Sequence, residues 1–200
     1  KGAIWVHAVS LGELRSAVPM IRALLARGDR VVTTHFTPAG RREAELVFAD
    51  EIATHKMQSV WVPFETAWAF RGFFRAFQPE CGLVMEIEIW PRMVFAAKRA
   101  GVPLFMCNAQ YPQKSMVRDA GGFELRHQVM QGFAGALVKS QLQSDRFASI
   151  GLSNIQITGE LRFEQPIPPE QIRAGTAARQ WLGALDRRVI AIASAIEGED

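Results

Sequence analysis

"AIWVHAVSLGELRSAVPMIRALLARGDRVVTTHF" (residues 3–36) changes its hydrophobic period twice. Its opening, AIWVHAV (3–9), is a short apolar run that predicts a strand. The stretch from Glu13 to Gly28 changes period. Leu14, Val18, Ile21 and Leu25 recur at helical spacing on one face, and Gly28 serves as a stop. RVVTTHF (30–36) then returns to a β-rich pattern. A strand, a helix and a strand in that order make the repeating unit of a parallel sheet, because a helix carries the chain back to the starting edge.

The alternation continues outward. TPAGRREAELVFA predicts a helix with Thr37 as N-cap and Pro38 at its first position. QSVWVPF is a third strand and ETAWAFRGFFRAF a third helix. CGLVMEI is a fourth strand, followed by a helix that Pro91 opens and Gly101 closes. PLFMCNA, GALVKS and IQITG are three more strands. The expected fold class is therefore α/β, a Rossmann-like parallel sheet with helices on both faces. After Gly159 the composition changes. EQPIPPEQ (164–171) has three prolines within four residues and predicts a linker or rigid turn. A helix over roughly 169–183 and a strand RRVIAIASA (187–195) follow. The expected division is one domain over 1–165, then a linker, helix and first strand of a truncated second domain over 166–200.

Composition bounds the function. Nearly half of the 200 residues are apolar, enough for a sizeable core. Cys81 and Cys107 lie in apolar runs without a C-x-x-C partner, so they read as buried free thiols in a reducing compartment. No apolar run reaches the ~18–20 residues of a membrane-spanning helix. The net charge is +3 and arginine outnumbers lysine severalfold. Scattered basic residues and no nucleic-acid motif argue against a nucleic-acid partner. The four histidines have no metal-ligand spacing, and neither G-x-G-x-x-G nor a Walker loop is present.

Ligands in such sheets gather beyond the carboxyl ends of the strands. The polar residues there are Ser10 to Glu13, Thr37 to Gly40, Glu65, Glu86 and Glu88, Asn108, Ser140, and Glu160 to Arg162. Ser10-Leu11-Gly12-Glu13 has the S-x-x-E form of a capping box, so Glu13 reads either as a helix cap or as a carboxylate held ready to accept a proton. In EIEIWP (86–91), strand alternation puts Glu86 and Glu88 on one face. They read either as structural, one pairing with an arginine and the other capping the helix at Pro91, or as functional. In the third helix Phe70, Phe73, Phe74 and Phe77 share a face that reads as core. Trp68, Arg71 and Arg75 share the other, which reads as ordinary stacking or as a surface for lipid headgroups.

The blocks WVHAVSLGE, TTHFTPAGRR, VPFE, EIEIWPR, NAQYPQKS, TGELRF and ASAIEGED, in this order, resemble the N-terminal half of 3-deoxy-D-manno-octulosonic acid (Kdo) transferases. The resemblance runs from about residue 2 to residue 200. It implies a two-domain GT-B glycosyltransferase whose N-terminal domain holds a lipid acceptor, while a C-terminal domain missing here holds the donor CMP-Kdo. It implies inverting, metal-independent transfer to lipid A precursor in lipopolysaccharide biosynthesis, with CMP-Kdo as substrate and no cofactor. By the same resemblance Glu13 is the base and Glu88 positions or tunes it. Ser10, Gly12, Glu86, Asn108 and Arg162 fall on the acceptor side, and Ser194, Glu197, Gly198 and Glu199 on the donor side. The implied location is the cytoplasmic face of the bacterial inner membrane, peripheral or anchored by a segment outside this chain.

The sequence departs from the family pattern at Gln110, where arginine is usual, and at Ile196, where histidine is usual. Arg162 stands where lysine is usual and keeps the charge. The alternative reading is a non-catalytic lipid- or sugar-binding module of the same fold, with lost or altered donor specificity. The missing glycine fingerprint argues against a Rossmann oxidoreductase.

Overall fold

In the computed structural model, residues 2–112 and 128–190 are described. The first strand, β1 (Ala3–His7), is buried along its whole length. It lies between β2 (Arg30–His35) and β4 (Cys81–Met85), both parallel to it. With β3 (Met57–Trp61), β5 (Leu104–Ala109), β6 (Gly135–Val138) and β7 (Ile155–Ile157), the described residues build a parallel sheet of order β3-β2-β1-β4-β5-β6-β7. A strand buried on both faces must be apolar on both, which is why these strands read as runs rather than alternations.

Each face has its own core. Beneath α1 (Leu11–Ala26) and α2 (Pro38–Val47), Val6, Leu14, Ile21, Phe48 and Met57 pack together. On the other face α4 (Ala67–Phe77), α5 (Pro91–Ala100) and α6 (Gln141–Ser149) cover Trp5, Phe70, Phe73, Met93 and Phe147. Trp5 is fully buried, with its ring 5.0 Å from that of Phe73. The phenylalanine face of α4 is core, as its spacing predicts, while Trp68 is 71% exposed. A short helix, α3 (Ala49–Ala53), joins α2 to β3.

Local chemistry sets the ends of these elements. Thr37 caps α2 through a bond from Gly40 N, with Pro38 in the first turn. Gly101 ends α5 in the left-handed region, where glycine is free of strain. Helix α1 contains Pro19, which has no N–H to give the Arg15 carbonyl one turn earlier. The side-chain amide of Gln165 donates to that carbonyl instead.

The EIEI reading requires correction. Strand β4 stops at Met85, and Glu86 has φ +56, so the chain turns where an extended strand was expected. The Glu86 amide bonds to the Cys107 carbonyl at 2.8 Å, while Asn108, the next residue on β5, is also left-handed at φ +55. Glu86 thus ends β4, while Asn108 marks the irregularity in β5 between Met106 and Ala109, each a left-handed non-glycine residue with a strain of order 1 kcal/mol.

The chain divides into two compact units, Lys1–Gln165 and Pro166–Asp200. In the second, α7 (Pro169–Trp181) has no buried residue. Residues 187–190 of the expected strand RRVIAIASA have no strand conformation. The rest of it lies outside the described residues, with Ser194, Glu197, Gly198 and Glu199.

Candidate active site at the switch point of the sheet

The strand order reverses at β1. From β1 the chain crosses to β2 on one side, while β4 on the other side leads away to β5. The two loops leaving β1 and β4 therefore diverge, and a crevice opens between them at the carboxyl ends of the strands. The β1 loop brings Glu13 to this crevice, and the β4 loop brings Glu86 and Glu88.

Glu13 makes the full capping box: its amide bonds to Ser10 Oγ at 3.3 Å, and its Oε2 accepts from Ser10 N at 3.4 Å. A shorter bond comes from Val9 N at 2.7 Å. Both bonds fall on Oε2, leaving Oε1 without a protein partner among the described residues. Burial, together with the negative charge of Glu88 and to a lesser degree that of Glu86, pushes the Glu13 carboxyl up to about 7 against the pull of the Val9 and Ser10 amides. A carboxylate titrating near neutrality with one free oxygen has the properties of a general base. The capping geometry and the free oxygen belong to one arrangement. Gly12, one residue earlier, is exposed, and a Cβ there would meet nothing within 4 Å. The space beside Glu13 is thus open.

The structural reading of Glu86 and Glu88 is half right. Glu86 does pair with an arginine: Arg162 Nη2 lies 3.3 Å from its Oε1. Arg162 Nε also donates to Ser16 Oγ on α1 at 2.9 Å. Glu88 does not cap α5. It accepts from the indole Nε1 of Trp90 at 2.7 Å, and the α5 amide of Met93 bonds instead to Glu65 Oε1 at 3.3 Å. Glu65, on the rim by sequence, thus ties the loop after β3 to the start of α5.

Asn108 is only 1% exposed. Its Oδ1 accepts from Leu161 N at 3.1 Å and holds the 3-10 turn Leu161–Glu164 against the sheet. Beside it Lys139 pairs with Glu160 at 2.8 Å and reaches Gln110 Oε1 at 3.3 Å. Gln110 stands where the family pattern has arginine, and here it accepts from a cation. Gly40 is a residue whose role sequence reasoning missed. A Cβ there would sit 3.1 Å from the Ser10 carbonyl carbon, so glycine lets α2 close on the turn that holds Glu13.

His7 and His35 are buried beneath the crevice, and burial lowers them to about 3 and about 4 respectively. Both are neutral at pH 7. Cys107 is buried, and burial pushes its thiol up to about 12; Cys81 is also free. Among the described residues no group of three His, Cys, Asp or Glu is placed to hold a metal ion, and no helix is long and apolar enough to cross a membrane. Away from the crevice, a groove of about 540 Å³ between α4 and α5 is lined by Phe74, Phe95 and four arginines, Arg71, Arg75, Arg92 and Arg99.

Solved structures share this architecture. A UDP-GlcNAc 2-epimerase from Neisseria meningitidis superposes with TM-score 0.57 at 11% identity, over 91% of this chain and 52% of the other. Another UDP-N-acetylglucosamine 2-epimerase gives 0.59 at 13%, over 92% and 61%. The fold is that of one half of a GT-B molecule, a Rossmann-like architecture of glycosyltransferases and epimerases. Residues 1–165 match the N-terminal family of 3-deoxy-D-manno-octulosonic-acid transferases (kdotransferases), and the chain belongs to that family. The 3-deoxy-D-manno-octulosonic acid transferase of Bordetella pertussis is 41% identical over 98% of this chain and 45% of its own length. That of Haemophilus influenzae is 26% identical over 98% and 46%. The chain thus spans about half the length of these curated relatives.

Proposed function

We propose that the chain is the acceptor-binding half of an inverting transferase that moves Kdo from CMP-Kdo to lipid A precursor in lipopolysaccharide biosynthesis. Family membership supports the transferred sugar. The observation that carries the mechanism is Glu13, titrating near 7 at the switch point with one carboxylate oxygen free. In this reading an acceptor hydroxyl lies against Oε1. Its oxygen bonds to the anomeric carbon of Kdo as the bond from that carbon to the CMP phosphate breaks, and the hydroxyl proton passes to Glu13. CMP departs with the electron pair of the broken bond. Attack opposite the leaving group inverts the anomeric centre. The hydroxyl proton is accounted for on the protein, and the reading assigns no metal and no cofactor to the step. Glu88 tunes the base, and Glu86, tied to Arg162, supports it. Ser10 and Gly12 shape the acceptor side, while Ser194, Glu197, Gly198 and Glu199 would meet the donor together with a C-terminal domain. The chain alone is then inactive. The assay is transfer from CMP-Kdo to a lipid A precursor by a protein of full family length carrying this chain. Transfer by residues 1–200 alone would show that the donor site has been misplaced.

The acceptor is a membrane lipid in this reading, and the α4–α5 groove supports work at the cytoplasmic face of the inner membrane. Its four arginines have no ion-pair partner among the described residues, and exposed Trp68 stands on α4 beside Arg71 and Arg75. Guanidinium groups bind phosphate, and tryptophan favours the headgroup region. Co-sedimentation with phosphatidylglycerol vesicles should weaken when Arg71, Arg75, Arg92 and Arg99 are replaced by glutamine. Binding unchanged by these four substitutions would remove the groove from the membrane surface.

A further inference from the structure

Glu88 lies in the irregular segment between β4 and α5, where no backbone ladder fixes its direction. Its carboxylate accepts a hydrogen bond from the Trp90 indole at 2.7 Å. Trp90 is itself braced. Its ring lies 5.6 Å from that of His7 at 84°, and 5.8 Å from that of Phe36 at 72°. In such perpendicular contacts a polarised ring edge meets an aromatic face. Its carbonyl also accepts Val94 N in the first turn of α5, at 3.0 Å.

The brace continues into the core. An indole N–H only donates, so Thr34 Oγ1 accepts the Trp5 indole at 2.8 Å, and the same oxygen shares a hydrogen bond with His7 Nδ1, also at 2.8 Å. His7 Nε2, at the other end of the ring, is a buried atom with no hydrogen-bond partner among the described residues. The ring beside it is Trp90. A continuous path therefore runs from Trp5 through Thr34, His7 and Trp90 to Glu88, joining the buried wall of β1 and β2 to the loop after β4.

We infer that Trp90 is a positioning residue for the reaction. It holds the Glu88 carboxylate in the crevice, where its negative charge acts on Glu13. The inference rests on the reading of Glu13 as the base. The charged groups acting there are Glu88 and Glu86 from the β4 loop, with Arg162 of the 3-10 turn offsetting Glu86. His7 on β1 and His35 on β2 are neutral, while Arg15 on α1 is paired at the surface with Glu43 of α2.

The test uses a protein of full family length carrying this chain. Trp90→Phe keeps an apolar ring against His7 and Phe36 and deletes the donor. A negative neighbour raises the base, so loosening Glu88 should move the acid limb of the kcat/KM profile to lower pH. Glu88→Gln should move it in the same direction by at least as much, and adding Trp90→Phe to Glu88→Gln should produce no further displacement. A folded Trp90→Phe protein whose acid limb stays at the wild-type position would overturn the inference. A second measurement leaves Trp90 in place. In ¹⁵N-labelled protein its indole N–H resonance should shift when Glu88 becomes glutamine, and an unmoved resonance would equally overturn it. Near-normal turnover in Glu13→Gln would sink the base reading alone, and the indole resonance would still report whether Trp90 holds Glu88.

Discussion

The carboxylate of Glu13 accepts the backbone amide of Val9 at 2.7 Å, a shorter bond than the one it takes from Ser10 in the capping box. A capping box alone would tie Glu13 to its own helix. The Val9 bond ties it to the chain leaving β1 as well, so the side chain is fixed relative to the sheet edge. Both bonds use Oε2. The helix start thus positions the group while Oε1 remains available for chemistry.

The same burial makes stability depend on pH. Glu13 titrates at about 7 in the fold against an ordinary value of 4.5. Between those values the folded state binds the proton more tightly than the unfolded chain, so stability falls as pH rises from 4.5 toward 7. Solvent screening at this partly exposed crevice limits the effect to roughly 1–2 kcal/mol. Glu13→Gln has no such titration. Urea unfolding of the two proteins at pH 5, 6, 7 and 8 should show the wild type losing stability relative to Glu13→Gln with rising pH. A constant difference across that range would mean that Glu13 is not raised.

The regular elements are legible in the sequence because period and punctuation agree. Thr37 and Pro38 start α2, Gly101 ends α5, and the phenylalanines of α4 fall on its buried face. The EIEI segment was misread because a left-handed residue at Glu86 has no local mark: isoleucine and glutamate alternate as in a strand whether or not the chain turns. Glu13 was found as a motif, but its nearness to Glu86 and Glu88 follows from strand order, which no short window contains. The contacts of Glu65 with α5, Asn108 with Leu161 and Arg162 with Ser16 are equally long-range. Two local marks did exist. Pro19 implies a carbonyl at Arg15 in need of a donor, and Gly40 implies a close approach at the start of α2.

Removing the Glu65 carboxylate should loosen α5. Glu65→Ala deprives Met93 N of its acceptor in the first helical turn, which typically costs ~0.5–2 kcal/mol. Glu65→Gln keeps an acceptor and should recover most of the loss. Thermal unfolding of the three proteins gives the comparison, and equal midpoints would show that water serves Met93 N as well.

Arg162 links three elements: the 3-10 turn it stands on, α1 through Ser16, and the β4 loop through Glu86. It is more than half exposed, so Arg162→Gln should change stability by less than ~1 kcal/mol. Turnover should fall further than stability suggests, since freeing Glu86 and Ser16 of α1 disturbs the alignment around Glu13. A loss of ~10- to 10²-fold is in keeping with an ångström-scale misplacement. Arg162→Lys keeps the charge and should restore most of the activity. Turnover unchanged in Arg162→Gln would reduce this contact to surface decoration.

Glu13→Gln separates cap from base in one substitution. Glutamine serves at the third position of a capping box, and its amide oxygen can still accept from Val9 and Ser10. Near pH 6, where the wild-type group is largely protonated, the two proteins should therefore unfold at similar temperatures. Glutamine cannot take the acceptor proton. General-base catalysis typically contributes ~10²–10⁴-fold, so a protein of full family length carrying this chain should lose about that much turnover with CMP-Kdo and a lipid A precursor. KM for the acceptor should change little, because shape and hydrogen bonding at the crevice are preserved. The residual activity should also lose the acid limb near pH 7 that ionisation of Glu13 imposes on the wild type. Near-normal turnover with that limb intact would return Glu13 to a capping role and make Glu88 the next candidate for the base.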